Sequence, residues 1–268
     1  MAIVGTLLAG GYRVVRPIAR GAVATVYLAF DRFGTPYALK VFPKGMEARA
    51  EREWRVGRAL EHENVNPVLE RFVVADHPAV LLAYAPGERL SDWRLARPGR
   101  PFLPVFRQLL EALGHMHRQG LVHRDVKPEN LVVSESGTAR LIDFDLSGPQ
   151  QEPLARVRLG TLAYLSPEET RGAAPTPASD VYSAGVVLYW GLFGELPFVG
   201  SPREVVLAHR NLPPRPPEGQ AVSPALWRYL ERLLAKDPGD RYPDAIAALK
   251  DLPPAGDLPG GRRLENGA

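Results

Sequence analysis

The chain has 268 residues, 45% hydrophobic and 24% charged, which is enough apolar side chain for a full core without covalent staples. The absence of cysteine excludes disulfides, thiolate nucleophiles and cysteine-ligated zinc or iron–sulfur sites, and a net charge of +3 is too small to mark a nucleic-acid surface. The 25 glycines and 27 prolines predict long punctuated loops rather than low complexity, and with only five lysines among 33 basic residues, each lysine stands out from an arginine background.

Residues 1–11 are apolar but have no basic leader and no convincing cleavage site, so no secretory signal is expected and the chain reads as cytoplasmic. The β-branched and aromatic runs 12–18, 23–30 and 37–42 predict three strands, broken at Gly21 and at Phe33-Gly34-Thr35-Pro36. A charged helix is predicted over 46–60, then strands over 65–74 and 79–84, ended by Pro86-Gly87. Beyond this break the pattern turns helical. Residues 103–119 are amphipathic, with Leu109, Leu110, Leu113 and Met116 apolar, and further helices are expected over 178–194, 225–235 and 244–249. The apolar stretch 181–198 contains Ser183 and Glu195 and reads as a buried core helix, not a membrane span. Segments 147–172 and 197–224 read as loops, and 252–268 as a disordered tail.

The densest chemistry lies in His123-Arg124-Asp125-Val126-Lys127-Pro128-Glu129-Asn130, followed by the apolar Leu131-Val132-Val133. A little further on comes Leu141-Ile142-Asp143-Phe144-Asp145. An Asp and an Asn a few residues apart, with a second Asp beside the next strands, can supply a base and oxygen ligands for Mg²⁺.

These motifs resemble those of eukaryotic-type serine/threonine protein kinases, as found also in bacteria, and the resemblance runs from about residue 12 to 249. It implies an α+β, bilobal fold: a small antiparallel β lobe with one helix over 1–85, and a larger, mainly helical lobe over 86–251. It implies an enzyme, a non-specific serine/threonine kinase using ATP with Mg²⁺, or Mn²⁺, on protein substrates and on itself. Lys40, in Ala38-Leu39-Lys40-Val41, would hold the α- and β-phosphates, with Glu53 as its helix partner. Asp125 would be the catalytic base, and Lys127 would stabilise the transferring phosphoryl group and favour Ser/Thr over Tyr. Asn130 and Asp143 would bind the metal. Thr161, in Gly160-Thr161-Leu162-Ala163-Tyr164-Leu165-Ser166-Pro167-Glu168, would bond to Asp125 and Lys127. Glu168 would pair with Arg241, and Asp180 would hold the backbone near His123. For the adenine, backbone groups of Ala83 and Ala85 would bind the base, Val26, Ala38 and Val132 would sandwich it, Leu82 would be the gatekeeper, and Ala19 and Gly21 would cover the phosphates.

The chain departs from the family in four places. The glycine-rich loop reads Ala19-Arg20-Gly21-Ala22-Val23-Ala24-Thr25-Val26, so methyl groups at 19 and 24 should restrict positive φ and weaken ATP binding. The metal motif reads Asp-Phe-Asp, where Asp145 tolerates a left-handed backbone less well than glycine and should stiffen the segment. Between Asp143 and Gly160 the only hydroxyl is Ser147, so the segment should not need phosphorylation although Arg124, the usual phosphate partner, is present; Glu152 is the one carboxylate there that could substitute. Gly57 stands where relatives often carry a larger residue and should loosen its helix. The degenerate loop motivates a second reading as a pseudokinase scaffold. A small-molecule phosphotransferase of similar fold ranks last, because Lys127 and the segment 160–168 are present. His115 and His117 read as packing residues rather than metal ligands, and His62 as a helix-end residue. The arginine-rich stretches 89–107 and 202–215 read as solvated or substrate-docking surface, and Pro213 to Pro217 as a proline-rich loop. No nucleic-acid partner and no membrane span are expected, and the oligomeric state is open.

Overall fold

The computed structural model describes residues 3–21, 23–97, 99–150, 159–220 and 222–254, with the backbone alone for 159–161. The first part of the chain forms a five-stranded antiparallel sheet from β1 (Arg13–Arg20), β2 (Thr25–Phe30), β3 (Pro36–Val41), β4 (Val68–Val74) and β5 (His77–Ala83), in the spatial order β1-β2-β3-β5-β4. One helix, α1 (Glu47–Arg58), connects β3 to β4 and packs beneath the sheet.

Period-two alternation decides what each strand gives to each face. In β3, Leu39 and Val41 join Tyr27, Val74, Ala79 and Leu81 in a core on the outer face. Ala38 and Lys40 point the opposite way, into a cleft. The register pairs Val26 with Lys40 and Ala38 with Leu82, so the cleft-facing residues of three strands stand side by side. The apolar N-terminal segment has a structural use here. Ile3 and Leu8 are buried against the outer core, and the segment is held by Gly5 N–H donating to Val14 O (2.8 Å) and Leu8 N–H to Tyr12 O (2.8 Å).

The second part is mainly helical, as the fold class anticipated. A three-stranded sheet of β6 (Glu88–Arg89), β8 (Leu131–Val133) and β9 (Ala139–Leu141), and a pair of β7 (Leu121–Val122) with β10 (Gly148–Pro149), present the loops between the two parts. Around them lie α2 (Leu90–Ala96), α3 (Leu103–Arg118), α4 (Pro167–Thr170), α5 (Pro177–Phe193), α6 (Pro202–Asn211), α7 (Pro224–Leu233) and α8 (Ala245–Lys250). Helix α5 is buried along almost its whole length and forms the centre of the large core. Among the described residues, no helix is long and apolar enough to cross a membrane.

The two segments read as loops hold helices as well. Helix α6 lies within 197–224 and α4 within 147–172. Both begin on a capping box: Ser201 with Glu204, and Ser166 with Glu169, each followed by proline at the first helical position. The prolines that mark a loop by composition are here the start of a helix. Helix α2 was also unforeseen; it has no side-chain cap and follows directly on β6. The expected tail lies outside the described residues beyond 254.

Helix α6 brings His209 into the core. Its Nδ1 accepts from the Tyr182 hydroxyl (2.8 Å), which itself accepts from Lys236 Nζ (3.3 Å), so the imidazole is neutral. Burial, with the nearby Lys236 charge, lowers its pKa to about 4. The unfolded chain binds a proton at this side chain below about pH 6.5, whereas the fold resists it, so stability drops as the pH is lowered through that window. Going from about pH 7 to about pH 5 should cost about 2 kcal/mol from this group, and His209→Leu should flatten the dependence in chemical denaturation.

Candidate active site

A cleft of about 290 Å³ opens between the five-stranded sheet and the β8–β9 loops. Its wall includes Ala19, Gly21, Val26, Ala38, Lys40, Leu82, Ala83, Ala85, Val132, Asn130 and Asp143. All nine nucleotide-binding candidates and both metal candidates therefore face one space. Glu53 and Asp145 also reach it, as do Ile18, Asn66 and Ile142, which the sequence reading did not single out.

The polar end of the cleft is built around Lys40. Its ammonium donates to Glu53 Oε2, reaching α1, and to Asp143 Oδ1 (2.6 Å), beyond β9. Burial works against the charged lysine, but the carboxylates of Asp143 and Glu53 outweigh it and hold its pKa above the ordinary value. Burial also opposes ionisation of Asp143, and the Lys40 charge overcomes it, keeping Asp143 well below the usual carboxylate range. The second oxygen of Glu53 accepts from Phe144 N–H (3.3 Å), so one carboxylate grips a strand and the segment Asp143-Phe144-Asp145 together.

Gly57 lets α1 come this close. A Cβ at that position would overlap Val68 of β4 and press on the Phe144 ring. The missing side chain therefore tightens the helix against the sheet and does not loosen it. The left-handed residue of the motif is Asp143, with φ 70°, and not Asp145. Asp145 is buried and pairs with Arg49 of α1 (3.1 Å), a second tie between the helix and the segment. Burial and the neighbouring Asp143 charge raise its pKa to about 8.

Below the cleft, Lys127 Nζ donates to both oxygens of Asp125 (2.8 and 2.7 Å). Asn130 Nδ2 donates to the Asp125 main-chain oxygen (2.8 Å) and to its Oδ2 (3.0 Å). Pro128 starts the short 3₁₀ turn that carries Asn130 back towards Asp125. Asp180 is wholly buried beneath this loop. It accepts from the backbone N–H of His123 (2.7 Å) and Arg124 (2.8 Å) and from His117 Nε2 (3.0 Å). His117 Nδ1 accepts from Ala245 N–H (3.1 Å), which fixes the proton on Nε2. These bonds hold Arg124 at φ 70°, a conformation that costs about 1–3 kcal/mol for a non-glycine residue. His117 thus serves packing, and His115 stacks on His62 (5.1 Å between ring centres).

Arg124 donates to the main-chain oxygens of Leu146 (3.4 Å) and Pro149. Ser147 is fully buried and its hydroxyl donates to His123 O (3.1 Å). Glu152 lies outside the described residues, and so does the side chain of Thr161. Glu168 and Arg241 form the anticipated pair, with two 2.7 Å contacts in a bidentate arrangement. In the degenerate loop, Gly21 N–H donates to Ala24 O (2.9 Å), while Ala19 lies in β1 opposite Val26. Neither alanine has positive φ, so their methyl groups narrow the cleft without straining the backbone.

Residues 12–251 match the family model of the protein kinase domain. Curated relatives include the DNA damage-responsive serine/threonine-protein kinase RqkA of Deinococcus radiodurans, 38% identical over 92% of this chain and 40% of that protein. Serine/threonine-protein kinase PknL of Mycobacterium bovis is 36% identical over 92% of this chain and 66% of its own length. Serine/threonine-protein kinase pkn2 of Myxococcus xanthus is 36% identical over 91% of this chain and 32% of its own length. The chain thus spans from about a third to about two thirds of these relatives.

The packing at Gly57 gives a direct test. Gly57→Leu should cost about 1–3 kcal/mol of stability through overpacking, measured by urea denaturation, and should displace α1 so that nucleotide affinity falls as well.

Proposed function

Because this chain belongs to the protein kinase domain family, we propose that it is an active enzyme that transfers the terminal phosphoryl group of ATP to serine and threonine hydroxyls of proteins. The observation that carries this reading is the convergence, at one cleft, of Lys40, Glu53, Asp143 and Asn130 above and beside Asp125 and Lys127. A pseudokinase reading is not favoured, because all six of these polar positions are filled and form two hydrogen-bonded sets, Lys40–Glu53–Asp143 and Lys127–Asp125–Asn130.

The chemistry divides among these residues by charge. Lys40, kept cationic by two carboxylates, is the cation for the nucleotide's phosphates. Asp125 orients the substrate hydroxyl and receives its proton at a carboxylate oxygen. Asn130 fixes that carboxylate from the side. Lys127 lies against the same group and brings positive charge to the phosphoryl group in transit. Asn130 and Asp143 offer only oxygen donors at the cleft, a set that suits a hard divalent cation such as Mg²⁺ or Mn²⁺. When bound, such an ion neutralises charge on the phosphates. Phosphoryl transfer needs mainly positioning and charge neutralisation, which a site this rigid can provide.

The segment after Asp143 supports activity without phosphorylation. From Gly148 to Gly160 there is no hydroxyl side chain, Ser147 is buried, and Arg124 is engaged by main-chain oxygens.

Labelling of a basic test protein with radioactive ATP and Mg²⁺ checks this account. The unaltered chain should transfer label, Asp125→Ala and Lys40→Ala should lower the rate at least about 100-fold, and Ser147→Ala should retain it. Absence of transfer by the unaltered chain with either Mg²⁺ or Mn²⁺ would favour the pseudokinase instead.

A further inference from the structure

Asn66 sits where the chain leaves a bridge to β9 and enters β4. Its N–H donates to Leu141 O (2.9 Å), and Val65 bridges the same residue, so the backbone here is pinned to the other side of the cleft. The side chain is almost wholly buried, at 3% exposure, and lines the cleft. Neighbouring parts of that wall are apolar: Val26, Ala38, Leu82, Val132 and Ile142. An amide among them needs a physical account.

Half of that account is in the fold. Asn66 Nδ2 donates to the main-chain oxygen of Ala83 (3.0 Å), while Ala83 N–H donates to Pro67 O (2.9 Å). A carbonyl oxygen can only accept, so the NH₂ group must face Ala83 and the orientation of the amide is settled. The amide oxygen Oδ1 then faces elsewhere. It is buried and has no hydrogen-bond partner among the described residues. Leaving a buried acceptor unmade is costly, and folding alone gains nothing from it, since an apolar side chain of the same shape would avoid the cost.

A ligand that brings a donor would resolve this. Adenine carries an exocyclic amine at its 6-position, whereas guanine carries a carbonyl there. We propose that Asn66 is a specificity-determining residue for the nucleotide: Oδ1 accepts a hydrogen bond from the 6-amino group, and Nδ2 holds the Ala83 carbonyl in place. The assignment rests on the reading of the chain as an ATP-dependent phosphotransferase. It also adds a base-reading group beside the backbone groups of Ala83 and Ala85. An acceptor at this place favours adenine twice over, because it attracts the amine and repels the carbonyl of guanine.

Calorimetric titration with ATP, with its analogue carrying hydrogen in place of the 6-amino group, and with GTP tests this without depending on turnover. The unaltered chain should bind ATP about 10-fold more tightly than the 6-hydrogen analogue and should discriminate further against GTP. Asn66→Leu keeps the shape and removes both polar atoms; it should bind the analogue as the unaltered chain does and ATP more weakly, so the preference for ATP narrows. Asn66→Ser, smaller and out of reach, gives the same readout if the leucine variant does not fold. If either variant weakens ATP and the analogue by the same factor, the preference persists, Asn66 only props the Ala83 backbone, and the proposal is overturned. If the unaltered chain binds none of the three nucleotides, the phosphotransferase reading fails, and this assignment falls with it.

Discussion

A lysine ammonium buried between two carboxylates sets the terms for the rest of this structure. Lys40 comes from a strand, Glu53 from a helix and Asp143 from beyond a strand of the other lobe. Removing one partner from such a group leaves an uncompensated buried charge, which typically costs about 3–5 kcal/mol. The three elements are therefore held to one relative arrangement. The absence of a side chain at Gly57 permits it, the Arg49–Asp145 pair repeats it, and the Phe144 N–H on Glu53 locks the segment after β9 to α1. The charged groups placed in this way are also the ones that face the cleft, so structural necessity and chemistry coincide.

A second constraint lies beneath the cleft. Asp180, at the start of a buried helix, accepts two successive backbone N–H groups and one imidazole N–H. Burial resists its ionisation, yet the hydrogen bonds from His117 and from the His123 backbone help keep its pKa low. It can therefore hold Arg124, the neighbour of Asp125, in a left-handed conformation without itself lining the cleft. Lys40 and Asp180 thus fix the two sides of the cleft independently, one by ion pairing and the other by backbone capture.

Much of this was legible in the sequence where a signal is local. Lysine is scarce in this chain, and Lys40 and Lys127 lie inside short motifs whose neighbours agree with them. Asp125, Asn130 and Asp143 fall within or just beside runs that read as short strands. Other features depend on what distant elements bring against a residue. Gly57 looks like a weak point in a helix until Val68 and Phe144 are packed on it. Asp145 looks like a strained replacement for glycine, yet the left-handed position is two residues earlier and Asp145 is an anchor for Arg49. Asn66 falls in a run that reads as one strand, and only the turn into β4 reveals that it faces the cleft. Helix α6 was hidden by composition, since prolines flank it, although its capping box was visible in Ser201-Pro202-Arg203-Glu204.

The central claim is that the Lys40–Glu53 tie positions the lysine for transfer and is not mere core packing. The most direct measurement is the phosphotransfer rate and the nucleotide affinity of Glu53→Gln, compared with the unaltered chain at equal stability. Glutamine keeps the shape and can still meet Phe144 N–H, but it withdraws the charge. The account predicts a rate lower by about 10–100-fold, with ATP binding changed far less. An undiminished rate would contradict it, because the ion pair would then hold the fold together without serving the chemistry.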